Sequence, residues 1–143
     1  MQSDLKAIKV IKTKIIKNSL GDILLFLKKK QIRNKKWTFK EAYFSKIKKN
    51  KIKAWKMHLK MTLNLIVAFG EVKFIFYSEK KKKFRKIILN QKNIRRLVVP
   101  PGIWFGFKGL FKKDSIILNI ANEYSEKKEV LKKNIKEIKY NWQ

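Results

Sequence analysis

Leu63-Asn-Leu-Ile-Val-Ala-Phe69, then Gly70, then Glu71-Val-Lys-Phe-Ile-Phe-Tyr77 is the stretch whose reading decides the fold. Each seven-residue arm is too short for an ordinary helix and is rich in Val, Ile and Phe, the residues that suit a pleated surface. The first arm reads as a buried strand ended by Gly70, and the second as its hairpin partner. Outward from this centre the same pattern repeats. Strands are expected over 6–16 (one or two), 23–27, 37–44, 51–60, 84–89, 95–99 and 114–121, with turns at Ser19 to Asp22 and at Pro100-Pro101-Gly102. Glu79 and the four lysines Lys80 to Lys83 form a solvated loop between two of them. Only 125–139 looks helical, with Val130, Leu131, Ile135 and Ile138 at three-to-four spacing. Many short strands between turns, with one short terminal helix, predict an all-β sandwich or barrel.

Length and composition bound the answer. The 143 residues, 45% of them apolar and 13% aromatic, suit one domain over 1–143 with a real core. Cysteine is absent, which removes disulfides, thiolate metal sites and thiol nucleophiles. No apolar run has the length of a membrane span, and Met1 to Leu20 interrupts its apolar residues with charge as a secretory leader does not. A soluble cytoplasmic protein without membrane contact is expected.

The net charge of +28 invites a nucleic-acid reading. The cations are nearly all Lys, however, with Arg only at Arg33, Arg85, Arg95 and Arg96, whereas bidentate recognition favours Arg. Lys, Ile and Asn abound together, as AT-rich coding produces. Most of the charge is then a solvated surface, part of it able to attract a diphosphate, and a nucleic-acid partner is not expected.

Two constellations can carry chemistry. His58, the one histidine, stands in Trp55-Lys56-Met57-His58-Leu59-Lys60. In an extended chain Lys56, His58 and Lys60 share one face, so flanking ammonium groups favour a neutral imidazole able to act as a base. The alternative is an idle surface histidine. In Pro100 to Phe107, Trp104, Phe105 and Phe107 are either core or a wall on which a base or sugar stacks. Asn119, Asn122 and Tyr124 follow near the same mouth. With one His and no Cys, no ordinary metal site can be built, and no phosphate loop or hydrolase motif is present; no cofactor is expected.

Taken in order, the pieces Gly21-Asp22, Ala42-Tyr43-Phe44-Ser45, Trp55 to Lys60, Gly70-Glu71-Val72, and Asn93 to Leu97 with Val99, Pro100, Gly102, Gly106 and Phe107 resemble the dTDP-4-dehydrorhamnose 3,5-epimerase family over about residues 15 to 142. The wording is similar to divergent members from surface-polysaccharide gene clusters. The resemblance implies a cupin-type double-stranded β-helix, or jelly roll, usually a homodimer exchanging N-terminal strands. It also implies a metal-free proton transfer beside the ketone of a nucleotide-linked 4-keto-6-deoxy sugar. His58 matches the family base, and Tyr124 the sugar-stacking tyrosine. The family arginine falls on Trp55, its enolate-stabilising lysine near Asn64, its second histidine on Phe105 and its acid tyrosine on Leu118. Lys56 and Lys60 flank the base, and Asn64 and Asn119 can donate to an oxyanion. One-centre epimerisation, a ketone shift and binding without turnover therefore stand beside the two-centre reaction, and a basic barrel binding nucleic acid stands behind them.

Overall fold

The computed structural model describes residues 3–32 and 34–143, which leaves Arg33 outside the described residues. In chain order the strands are β1 (Lys9–Lys12), β2 (Lys14–Ile16), β3 (Ile23–Leu25), β4 (Glu41–Ile47), β5 (Ile52–His58), β6 (Leu63–Phe69), β7 (Glu71–Ser78), β8 (Lys83–Asn90), β9 (Arg95–Val99), β10 (Trp104–Gly109), β11 (Ser115–Ala121) and β12 (Val130–Lys132). They build two five-stranded sheets, β1-β9-β6-β11-β4 and β12-β5-β10-β7-β8, while β2 and β3 pair only with each other.

Alternation explains which side chains meet. Leu63, Leu65 and Val67 of β6, Leu97 and Val99 of β9, and Ile117 of β11 face Phe74 and Phe76 of β7 and Phe105 and Phe107 of β10 in one buried core between the sheets. A second apolar layer covers the outer face of the β5-β10-β7 sheet, where Ile138 and Trp142 pack on Trp55, Met57, Ile75 and Trp104. β7 is thus buried on both faces, which accounts for its nearly unbroken apolar run.

Three expectations are corrected by these pairings. Both arms around Gly70 are strands, but β6 pairs with β9 and β11 while β7 pairs with β8 and β10. The chain changes sheets at the glycine instead of turning back as a hairpin. Gly70 has φ +86°, and a Cβ there would lie 2.3 Å from Ser115 Oγ. That hydroxyl clasps the corner, accepting from the Glu71 N–H and donating to the Glu71 carbonyl, each at 3.1 Å.

The helix expected over 125–139 shrinks to one 3₁₀ turn, Lys127–Glu129, followed by β12. β12 pairs with the edge of β5, Val130 opposite His58 and Lys132 opposite Lys56. An edge of unpaired N–H and C=O groups outweighs a weak helical periodicity. Finally, the strand expected over 37–44 lies at Glu41–Ile47. Trp104, Phe105 and Phe107, left open from sequence as core or wall, stand on the central strand β10 and are buried. Among the described residues no helix is long and apolar enough to cross a membrane.

Candidate active site

The site begins with an irregularity in β5. Phe105 of β10 lies opposite Lys56, yet Phe107 lies opposite Lys53, so β5 carries one residue more than its partner. A bulge of this kind resets the alternation. Ala54 and Trp55 both join the outer layer, while Lys56 and His58 turn into the space between the sheets. Gly106 makes the bulge possible: a Cβ there would lie 2.5 Å from that of Ala54.

His58 is 8% exposed and stacks on Phe105, ring centroids 5.9 Å apart and planes 21° apart. Its Nδ1 lies 2.5 Å from Oε2 of Glu129, which the pairing of Val130 with His58 brings alongside. The other oxygen, Oε1, accepts from the backbone N–H groups of Lys60 at 3.0 Å and Met61 at 2.8 Å. Burial alone would push the Glu129 carboxyl up. The bond to His58, the two backbone donors and the imidazole charge outweigh it, and the carboxyl is held below its ordinary range. An ionised carboxylate only accepts, so Nδ1 is the donor to Glu129 and Nε2 is the ring nitrogen left free of it.

Around the imidazole is a small cavity of about 40 Å³. Its polar groups are Tyr43 and Ser45 from β4, Lys56 and His58 from β5, and Asn119 from β11; Phe74, Phe105 and Phe107 fill much of the rest. Burial pushes the Lys56 ammonium down, and the charges of Lys53 and Lys132 add to the effect. Asn119 donates through Nδ2 to the Tyr43 hydroxyl at 3.0 Å and accepts at Oδ1 from the Asn64 N–H at 3.0 Å. The space holds one or two waters. A sugar ring enters only if the lining moves, and Tyr43, on an edge strand and 37% exposed, is the polar wall most free to do so.

Of the residues singled out from sequence, His58, Lys56, Phe105 and Asn119 come together here. Asn64 sits one layer behind, its side chain bonded to Arg96 at 2.7 Å on the far face of its sheet. The others are elsewhere, each for a local reason. Trp55 is buried in the outer layer, its Nε1 donating to the Ile138 carbonyl at 3.2 Å, because it alternates with the inward-facing Lys56 and His58. Trp104 lies in the same layer under Lys133, whose Nζ is 4.6 Å from the ring centroid. Lys60 follows the end of β5 and is exposed, and Tyr124, 54% exposed, shares with it a separate recess of about 220 Å³ on the outside. Leu118, in the family's acid position, alternates away from the cavity.

Glu129, Tyr43 and Ser45 escaped the sequence reading. Glu129 carries no local signal, standing among lysines in a stretch with helical spacing. The period-two placement of Tyr43 and Ser45 in β4 was a usable one. Among the described residues no three His, Asp or Glu side chains converge as a metal site would require.

No protein-family model matches the chain, and no curated protein matches it significantly. Solved structures do. A dTDP sugar isomerase from Desulfovibrio desulfuricans G20 is 23% identical with a TM-score of 0.82, over 96% of this chain and 91% of that one. A sugar 3,4-ketoisomerase from Thermoanaerobacterium thermosaccharolyticum, in complex with TDP, is 21% identical with a TM-score of 0.77, over 94% of each chain. A dTDP-4-dehydrorhamnose 3,5-epimerase from Bacillus anthracis str. Ames, with TDP and PPi bound, is 20% identical with a TM-score of 0.78, over 92% of this chain and 81% of that one. Over nearly its whole length, then, the chain has the all-β jelly-roll fold of these sugar-nucleotide isomerases and epimerases.

Proposed function

We propose that this protein is a nucleotide-sugar isomerase of deoxysugar biosynthesis, moving a proton beside the ketone of a 4-keto-6-deoxy sugar, with His58 as base and no metal in the step. The observation that carries the proposal is the imidazole held at Nδ1 by a carboxylate inside the barrel cavity. That arrangement leaves one basic nitrogen, in a partly dehydrated setting, next to Lys56 and Tyr43 as donors for a developing oxyanion. The jelly-roll fold shared with a dTDP sugar isomerase and with a 3,4-ketoisomerase solved in complex with TDP-4-keto-6-deoxyglucose supports the choice of substrate class.

Within that class we favour a ketone shift between adjacent carbons. Nε2 of His58 removes the proton from C3, the electrons move onto the C4 oxygen, and an enediolate forms with Lys56 and Tyr43 donating to it. His58 returns the proton to C4, and the proton of the C3 hydroxyl passes through Tyr43 to the C4 oxygen. The C3–H and O3–H bonds are replaced by C4–H and O4–H, and nothing else is consumed. One base on one face suffices for this. Inversion at two centres needs an acid on the opposite face, and Leu118 with its outward direction offers none. Incubation with dTDP-4-keto-6-deoxyglucose, followed by proton NMR, tests the reading, with a 3-keto isomer as the expected product.

The size of the cavity favours one second reading, a module that binds the sugar nucleotide without turnover, since about 40 Å³ admits no sugar ring until the lining moves. Calorimetric binding of the same nucleotide sugar without any product would select that reading.

The hairpin β2–β3 supports an assembly as well. Ile15, Ile16, Ile23 and Leu24 are all exposed on two strands that pair with no other element. We read this as a surface covered by a second copy in a homodimer. A cytoplasmic site of action, supplying surface polysaccharide such as O-antigen, accords with the substrate class.

A further inference from the structure

The segment that carries Glu129 to the imidazole has little regular structure of its own to keep it there. Lys127–Glu129 is a single 3₁₀ turn, β12 is three residues on the edge of its sheet, and 133–143 holds neither helix nor strand. Glu129 does bond to the end of β5 and the turn after it. Its carbonyl accepts from the Leu59 N–H at 2.9 Å, and its carboxylate accepts from the Lys60 and Met61 N–H groups. Leu59 and Lys60 are exposed, however, so water competes for that latch, and three pairs at a sheet edge add little by themselves.

The buried fastening is at Trp55, on the same strand as His58 and 1% exposed. Its backbone N–H donates to the Lys133 carbonyl, and its carbonyl accepts from the Lys133 N–H, each at 3.1 Å. The indole Nε1 donates to the Ile138 carbonyl at 3.2 Å and reaches that of Ile135 at 3.4 Å. The ring packs on Ile138, and its centroid lies 5.3 Å from that of Trp142. One residue thus grips the segment at 133, 135, 138 and 142. Trp104 and Trp142 belong to the same layer, yet their buried indole N–H groups have no partner among the described residues, so this polar fastening is particular to Trp55. At the far end the Lys73 and Lys108 ammonium groups donate to the Trp142 carbonyl at 3.0 and 2.8 Å.

We propose that Trp55 is a positioning residue for the proton transfer: it fastens residues 133–142 across the outer face of β5 and thereby holds Glu129 on Nδ1 of His58. Trp55 and His58 point to opposite faces of one strand. A side chain outside the cavity therefore governs the hydrogen bond of the ring inside it. The role in turnover rests on His58 being the base, whereas the hold on the carboxylate does not.

His58 is the one histidine, so the full chain labelled with nitrogen-15 histidine gives a single imidazole by NMR. In wild type its Nδ1 proton, donated to a buried carboxylate, is expected far downfield and slow to exchange with water. Trp55→Phe keeps an aromatic ring and removes the indole N–H. Ile138→Ala loosens the segment without changing β5, and it keeps the question measurable if Trp55→Phe does not fold. Both should lose or broaden that proton signal, and each should lower kcat about tenfold with KM little changed. Acting through Glu129, Trp55→Phe should change kcat by less than about twofold once Glu129 is already Gln. Leu97→Ala, in the core between the sheets and away from the cavity lining, controls for lost stability and should keep the signal. Loss of the signal in both variants, with no form of the protein turning over dTDP-4-keto-6-deoxyglucose, supports the positioning and removes the isomerase reading. A wild-type imidazole proton in both variants, an equal loss in Leu97→Ala, or full additivity of Trp55→Phe with Glu129→Gln overturns the proposal.

Discussion

An imidazole held at Nδ1 by an ionised carboxylate can take a proton only at Nε2, and its ring cannot rotate without leaving the carboxylate. Glu129→Gln keeps the volume and removes the charge, so the tautomer and the stabilisation of the imidazolium are both lost. Turnover of Glu129→Gln should fall by about 10²-fold or more with KM little changed, measured by steady-state kinetics; an unchanged kcat would remove Glu129 from the mechanism. The same carboxylate has a stability consequence. Its pKa is lowered in the folded state, so it stabilises the fold above the unfolded value and the benefit is lost as pH falls through the folded value. Chemical denaturation below about pH 4.5 should therefore show wild type losing stability more steeply than Glu129→Gln. Lys56→Met tests the neighbouring ammonium, which sits beside the imidazole in the cavity. Its loss should lower kcat about tenfold or more while leaving the fold intact.

The bulge in β5 and the corner at Gly70 do for whole strands what Glu129 does for one ring. Gly106→Val would drive a branched side chain into Ala54, where even a Cβ lies at 2.5 Å. Overpacking of this kind costs about 1–3 kcal/mol, read from the urea midpoint, and it should lower activity further by moving Lys56 and His58. Phe74→Ala, which empties the centre of the core, should cost about 3–5 kcal/mol by the same measurement. Much of the element plan was legible in the sequence. β6, β9 and β11 follow from apolar runs bounded by Gly, Pro and charge, because burial of a strand is a local property of its residues. The partner of each strand was not legible, and β7 was assigned to β6 because adjacency along the chain was the only pairing cue available. β12 was hidden for a related reason: Val130 and Leu131 fit a helix on local spacing, and the edge of β5 that recruits them lies some seventy residues away, about the separation of Glu129 from His58. Half the site was legible, because His58, Lys56 and Phe105 stand in strands whose alternation can be counted. Trp55 was misplaced because it was chosen for standing at the family arginine position, although alternation counted from His58 already puts it on the opposite face; the bulge, which leaves no composition signal, displaces Ala54.

At the scale of the molecule, charge and surface remain. A chain with a formal charge of +28 draws anions from a distance, so the association rate of a nucleotide diphosphate should drop as salt is raised, while the product formed stays the same. Stopped-flow association across a salt series reads this directly. The exposed hairpin predicts self-association: Ile16→Glu with Ile23→Glu should shift the sedimentation coefficient from dimer to monomer, and a monomeric wild type would contradict the dimer. All of this presupposes that the barrel holds a working base. The most direct measurement is solvent exchange at the carbon beside the ketone, with dTDP-4-keto-6-deoxyglucose in heavy water followed by NMR. Deuterium at C3, or at C4 of a 3-keto product, that vanishes in His58→Asn is the predicted result. Absence of exchange in the wild type, or equal exchange in His58→Asn, would contradict the account.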